Sequence, residues 1–168
     1  TRPYSIKVFE GQRNFIVYDK DNKVIIYANS IWTLLDKKTM RPARITPEQA
    51  ASYTTDAPYE MEYAPRRIDI KDIDENSFIK AGEVCVTKNQ IDFNQHMNNS
   101  QYATITCNFL PSDSTYSQFR IEYKKPAVLN DKLLVKQYKT ENKLFTLIQK
   151  ETATGNETLC TLLFEQLS

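Results

Sequence analysis

The last third of the chain limits the fold most. Residues 118–123, 132–139, 143–151 and 157–167 read as four strands. They are divided by turn residues at Asn130-Asp131, Glu141-Asn142 and Thr154-Gly155-Asn156. Connections this short leave no room for a crossover, so the last three strands should pair antiparallel. Ahead of them lie a strand at 83–88 and a helix at 99–110. The helix places Tyr102, Ile105 and Phe109 on one stripe, with Ala103, Cys107 and Leu110 beside it. A helix apolar on most of its sides must be wrapped by other elements. The expected class is therefore α+β, an antiparallel sheet wrapped around a central helix.

The first third reads as a hairpin, with strands at 13–18 and 24–35 joined by a polar turn. Trp32 falls in the second strand and is expected in the core. A short helix should follow within 45–53, because Thr46 is a good N-cap, Pro47 suits the first helical position and Glu48 the first turn. Residues 54–67 are rich in Pro, Tyr and charge without a period, which reads as an extended linker. Two domains are expected, 1–65 and 66–168.

Composition removes several function classes. The chain has 168 residues and only three glycines, which leaves no dinucleotide loop, phosphate loop or nucleophile elbow. Its 22 basic and 21 acidic side chains give a net charge of +1, so no general field draws in nucleic acid or an anionic membrane. The longest apolar runs are too short to span a bilayer, and TRPYSIKVFEG lacks the apolar core of a signal peptide. Three cysteines, Cys85, Cys107 and Cys160, fit neither a disulfide framework nor a zinc site. Buried free thiols in a reducing cytoplasm are expected.

The chemistry concentrates in QIDFNQHMNN, residues 90–99, which holds the only histidine. Asp92 and His96 are its base candidates. An imidazole with a pKa near ~6.5 suits general-base work at neutral pH. An aspartate is a weak base, but it can orient a water or fix an imidazole tautomer. Asn94 offers both a donor and an acceptor. Asn98 and Asn99 fall where the helix should begin, and the free N–H groups of a first turn form an oxyanion site. The plain alternative is a polar turn followed by an N-cap.

The order strand, D-x-N-x-H-x-N-N, helix, four strands resembles the C-terminal hot-dog domain of acyl-acyl carrier protein (acyl-ACP) thioesterases. The matching residues are Asp92, Asn94, His96, Asn98 and Asn99, with Tyr102 where the family usually has an aromatic. RNFIVYD (13–19), SIWTLLD (30–36) and RPARI (41–45) are similar to the second half of the family's N-terminal hot-dog domain. The resemblance implies a partial first hot-dog unit followed by a complete second one. It also implies an exposed apolar face and an unpaired edge in the first, covered by a partner chain or a further segment; a homodimer is one such arrangement.

The implied function is hydrolysis of the fatty acyl-ACP thioester in fatty acid biosynthesis, without metal or organic cofactor, with Asp92, Asn94 and His96 catalytic. The acyl chain would lie in an apolar slot between sheet and helix. Acyl carrier protein is the implied partner, and the basic run holding Lys37, Lys38, Arg41 and Arg44 could meet its acidic surface. The alternatives are an acyl-CoA thioesterase and a non-catalytic acyl-binding or carrier-docking hot-dog protein. The last is motivated by EYKKPA (122–127): the family carries a catalytic glutamate where this chain has Pro126. Glu122 lies four residues earlier, about 13 Å along an extended strand, and cannot easily replace it.

Overall fold

A computed structural model describes residues 1–166, so the predicted end of the last strand at Leu167 lies outside the described residues. The chain divides into two compact units, Thr1–Arg66 and Arg67 onward.

The first unit is a three-stranded antiparallel sheet of β1 (Arg2–Ile6), β2 (Glu10–Tyr18) and β3 (Val24–Thr33), in that order. The sequence reading missed β1, whose Pro and Ser residues break strand patterning. The pairing register shifts there between Pro3 and Ser5. Helix α1 (Pro47–Ala51) begins as anticipated. Thr46 Oγ1 accepts from the Gln49 amide at 3.2 Å, and the Gln49 side chain accepts from the Thr46 amide at 2.9 Å, a reciprocal capping box.

Two expectations fail in this unit. Trp32 is 59% exposed and is not a core residue: the residues around α1 leave an open cavity over it instead of packing against it. Residues 54–66 contain no helix or strand, yet they are more than a linker. Buried Asn14 accepts from the Tyr59 amide at 2.9 Å and the Tyr63 hydroxyl at 3.1 Å, which straps this segment across the sheet.

The second unit holds five antiparallel strands in the order β4-β6-β7-β8-β5. They are β4 (Ile79–Cys85), β5 (Gln118–Tyr123), β6 (Lys132–Lys139), β7 (Lys143–Thr152) and β8 (Gly155–Glu165). The last three form the expected meander, with Leu133 opposite Lys150 and Leu147 opposite Thr161. β4 begins four residues before the expected start and ends at Cys85. Lys88 instead starts a short 3-10 turn, Lys88–Gln90.

Helix α2 (Asn99–Cys107) lies against one face of this sheet. Tyr102 and Ile105 pack with Val86, Leu133, Ile148 and Leu162 in the main core. Phe109, just past the helix, crosses Gly82 so closely that a Cβ there would come within 2.3 Å of its ring. The opposite sheet face is covered as well, by Ile68 and Phe78 against Phe145, Leu147 and Leu163. α2 is not apolar all round: Thr104 and Cys107 face solvent, so the sheet covers one side of it. Cys107 is therefore exposed, and Cys85 at the end of β4 is exposed as well, against expectation; only Cys160 is buried. Burial pushes the Cys160 thiol pKa well up, which keeps it an uncharged core group.

Candidate functional site

Residues 91–97 form a closed hairpin between the Lys88–Gln90 turn and α2. Ile91 and Met97 pair as an antiparallel bridge. The Asp92 amide donates to the His96 carbonyl at 2.8 Å, and the Gln95 amide to the Asp92 carbonyl at 3.1 Å. Gln95 takes a left-handed conformation, φ 63°, to complete the turn.

The Asp92 carboxylate shapes this loop from within. One oxygen accepts from the Asn94 amide at 2.8 Å and from the His96 amide at 3.3 Å, in the manner of an Asx turn. It therefore grips the backbone of His96, a role beside the two the sequence left open for it, orienting a water or fixing the imidazole tautomer. His96 is half-buried, Asn94 is exposed, and Phe93 stands out from the tip with 89% exposure.

Asn98 is the N-cap of α2. Its side-chain oxygen accepts from the Ser100 amide at 3.0 Å and the Ser100 hydroxyl at 2.9 Å. Asn99 is the first helical residue and is exposed. The Asn98 amide in turn donates to the Gln90 carbonyl at 2.8 Å. Hairpin, N-cap and helix start thus form one short bonded segment. Asp92, Asn94, His96, Asn98 and Asn99 fall within it.

A second segment is tied to it. The Met97 amide donates to the Ala127 carbonyl at 2.8 Å, and the Ala127 amide donates to the Tyr102 hydroxyl at 2.9 Å. Pro126, at the position where an acid was sought, is exposed beside this anchor. Glu122 is engaged elsewhere, accepting from the Ile68 amide at 3.1 Å. The nearby Asp131 carboxylate is taken by the Val128 amide at 3.0 Å and by Lys150 at 2.6 Å.

The sequence reading missed the tyrosines around this anchor. Tyr102, 1% exposed, is in the sequence an apolar-stripe residue and the family's aromatic position, with no polar role. Tyr123 donates to the Asn99 carbonyl at 3.0 Å and meets Tyr102 edge-on, with ring centroids 5.6 Å apart. Burial raises the pKa of Tyr102 above its ordinary value; Tyr123, 45% exposed overall, has its pKa raised to about 12 by desolvation on the side that faces Tyr102 and Cys160. A tyrosine inside a helical stripe was the available signal, since a buried phenol needs a polar partner.

The slot expected between sheet and helix is filled at this end by Met97, Tyr102, Ile105 and Leu133. A cavity of about 280 Å³ lies past the other end of α2, lined by Leu110, Ser114, Tyr116, Phe119 and Phe164. Another, of about 490 Å³, lies in the first unit beside Gly11, Arg13, Trp32 and Tyr53. Neither is lined by a residue of the 92–99 segment. Among the described residues, no three His, Cys, Asp or Glu side chains are placed to hold a metal ion. No helix there is long and apolar enough to cross a membrane.

Lys37, Lys38, Arg41 and Arg44 are all exposed, in or next to a tight loop of the first unit. Asp36 organises that loop, accepting from the Lys38 amide at 3.1 Å and from Thr39 at its amide (2.7 Å) and hydroxyl (2.9 Å). The Thr39 amide, with help from its hydroxyl, holds the Asp36 pKa below the usual carboxylate value.

The α+β arrangement of a helix on a five-stranded antiparallel sheet is the hot-dog fold, and solved structures of that class superpose on the chain. An acyl-ACP thioesterase from Bacteroides thetaiotaomicron is 23% identical with a TM-score of 0.81, over 98% of this chain and 65% of that one. A 12:0-ACP thioesterase from Umbellularia californica is 17% identical with a TM-score of 0.77, over 96% of this chain and 64% of that one. The chain thus spans about 65% of the length of these relatives. Comparison with curated proteins gives no match. Residues 1–53 match the acyl-ACP thioesterase N-terminal domain, and residues 72–161 match the C-terminal domain. The chain belongs to the acyl-ACP thioesterase family.

Proposed function

We propose that the protein hydrolyses the thioester of fatty acyl-ACP, releasing free fatty acid in the cytoplasm as a step of fatty acid biosynthesis. The observation that carries the reading is the bonded segment 91–99. There a half-buried imidazole, an exposed Asn94 and the start of α2 stand together within the domain matched to the family. In this scheme His96 takes a proton from a water that Asn94 positions. The water oxygen attacks the thioester carbon, and the Asn99 amide, next to the Asn98 cap, holds the oxyanion. Collapse breaks the C–S bond, and the carrier's thiolate takes the proton back from His96. Asp92 serves by holding the hairpin, and no metal is required.

Lys37, Lys38, Arg41 and Arg44 are proposed to receive the acidic carrier protein. Such steering should weaken steeply with salt.

The test is release of free thiol from acyl-ACP by the purified protein and by His96→Ala. Turnover lost in the variant supports the assignment, whereas equal rates remove His96 from the chemistry. A second reading, acyl-ACP binding without hydrolysis, is favoured by Pro126 and by the Glu122 carboxylate being bonded to Ile68. Tight binding with no thiol release over hours would select it. Parallel assays with acyl-CoA decide between the two thioesters.

A further inference from the structure

Four hydrogen bonds tie the start of α2 to strand β5 and the segment after it. Tyr123, the last residue of β5, donates to the Asn99 carbonyl at 3.0 Å. Tyr102, one turn along the helix, accepts from the Ala127 amide at 2.9 Å and donates to the Lys125 carbonyl at 3.5 Å. Ala127 closes the circuit through its carbonyl, which accepts from Met97 at 2.8 Å, one residue after His96. The ladder itself ends at Tyr123, opposite Cys160. Beyond it, the amides of Lys124 and Lys125 both turn onto the Leu159 carbonyl, at 2.8 and 3.1 Å. The tyrosines hold a piece of chain that has left the sheet.

We propose that Tyr123 and Tyr102 are a positioning pair that fixes the first turn of α2, and with it the hairpin bearing His96, against the 124–127 segment. The proposal rests on the functional reading above and extends it from the polar residues of the motif to Tyr102, the aromatic that follows them, and to Tyr123.

The physical case is one of geometry. A seven-residue hairpin with an exposed tip has few contacts of its own to aim an imidazole. Small errors in the placement of a reacting group cost large factors in rate. The two ends of that hairpin meet at the Ile91–Met97 bridge, so anchoring Met97 sets its tilt. Tyr102 and Ala127 are buried, which gives their hydrogen bond no competing water. Tyr123 is 45% exposed, and like any phenol it stays protonated, and so a donor, across the neutral range.

The test compares wild type with Tyr123→Phe, which keeps the ring contact with Tyr102 and removes only the hydroxyl. The expected result with acyl-ACP is a fall in kcat of about tenfold, with KM within about twofold and the melting temperature within a few degrees. Because His96 is the only histidine, its ring signals in a long-range ¹H–¹⁵N spectrum report the hairpin directly. They should move or broaden in Tyr123→Phe. They should move further in Tyr102→Phe, which strands the Ala127 amide. Tyr138→Phe, whose ring contacts Phe78 and Phe145 in the other core, serves as the control and should leave rate and His96 signals unchanged.

Unchanged kcat and unchanged His96 signals in Tyr123→Phe would overturn the proposal. If the wild type proves inactive, the functional reading fails separately and the His96 spectrum alone decides the pair. Signals that shift then uphold the anchoring, and signals that stay fixed refute it.

Discussion

The two units pair their strands in the same antiparallel manner, yet they bury them very differently. In the second, β6, β7 and β8 place Leu133, Ile148 and Leu162 under α2, while Phe145, Leu147 and Leu163 lie under Ile68 and Phe78. In the first, Asn14 is the only buried side chain among the described residues, and Phe15, Ile26 and Trp32 are exposed. The strands of both are apolar enough to be core strands. Burial is decided by whether a second layer exists. Where the cover is only a strap of irregular chain, a polar group can become the best-buried residue, because Asn14 holds that strap by hydrogen bonds. The exposed apolar faces of β2 and β3 form a surface of the kind that normally meets another layer.

The comparison can be broken most readily in the two sheets. Ile148→Ala, at a fully buried site, should cost about 2–5 kcal/mol in denaturant unfolding. Phe15→Ala, 37% exposed, should cost about 1 kcal/mol or less. Equal losses would show that the first sheet has a core after all.

The two aspartate-built loops give a smaller contrast. Asp92→Ala removes an acceptor from two hairpin amides and should cost about 1–2 kcal/mol, with faster hydrogen exchange at Asn94 and His96. Asp36→Ala should loosen only its own exposed loop and leave the unfolding midpoint nearly unchanged. A large loss from the second would contradict this ranking. Thr46→Ala breaks the capping box of α1 and should cost about 1 kcal/mol, read in the exchange of the Gln49 amide.

The smallest effect is on pH. Tyr123 has its folded pKa raised to about 12, chiefly by burial, above its ordinary value of 10.0. Its contribution to stability is therefore complete below pH 10 and is lost as pH rises from about 10 to 12, when the unfolded chain ionises first. Tyr123→Phe should flatten the decline of the unfolding midpoint in that window. An unchanged slope would place the phenol in an ordinary setting.

These contrasts also explain what could be read without coordinates. The meander β6-β7-β8 was legible because its turns are short and rich in Asn, Asp and Gly. The start of α1 was legible because Thr46-Pro47-Glu48 is a local code. The sides of Trp32 and Cys107 were not, because residue type and period give a face but not what lies against it. In the site, the polar cluster and its place before α2 could be read from spacing. The grip of Asp92 on backbone amides could not, since a carboxylate serves a loop or an imidazole equally well. Nor could the Met97–Ala127–Tyr102 links, which join residues some 25–30 positions apart: the first uses main-chain groups on both sides, and for the second the phenol signals a partner without naming it.

The account stands most directly on where an acyl thioester meets the molecule. The measurement is a titration of ¹⁵N-labelled protein with an acyl-pantetheine amide, which cannot be hydrolysed, followed at the His96 ring and at the amides of 92–100. The predicted result is saturable shifts concentrated on His96, Asn94 and the first turn of α2, weakened in His96→Ala. Saturable shifts confined to residues elsewhere, with the His96 ring unmoved, would contradict it.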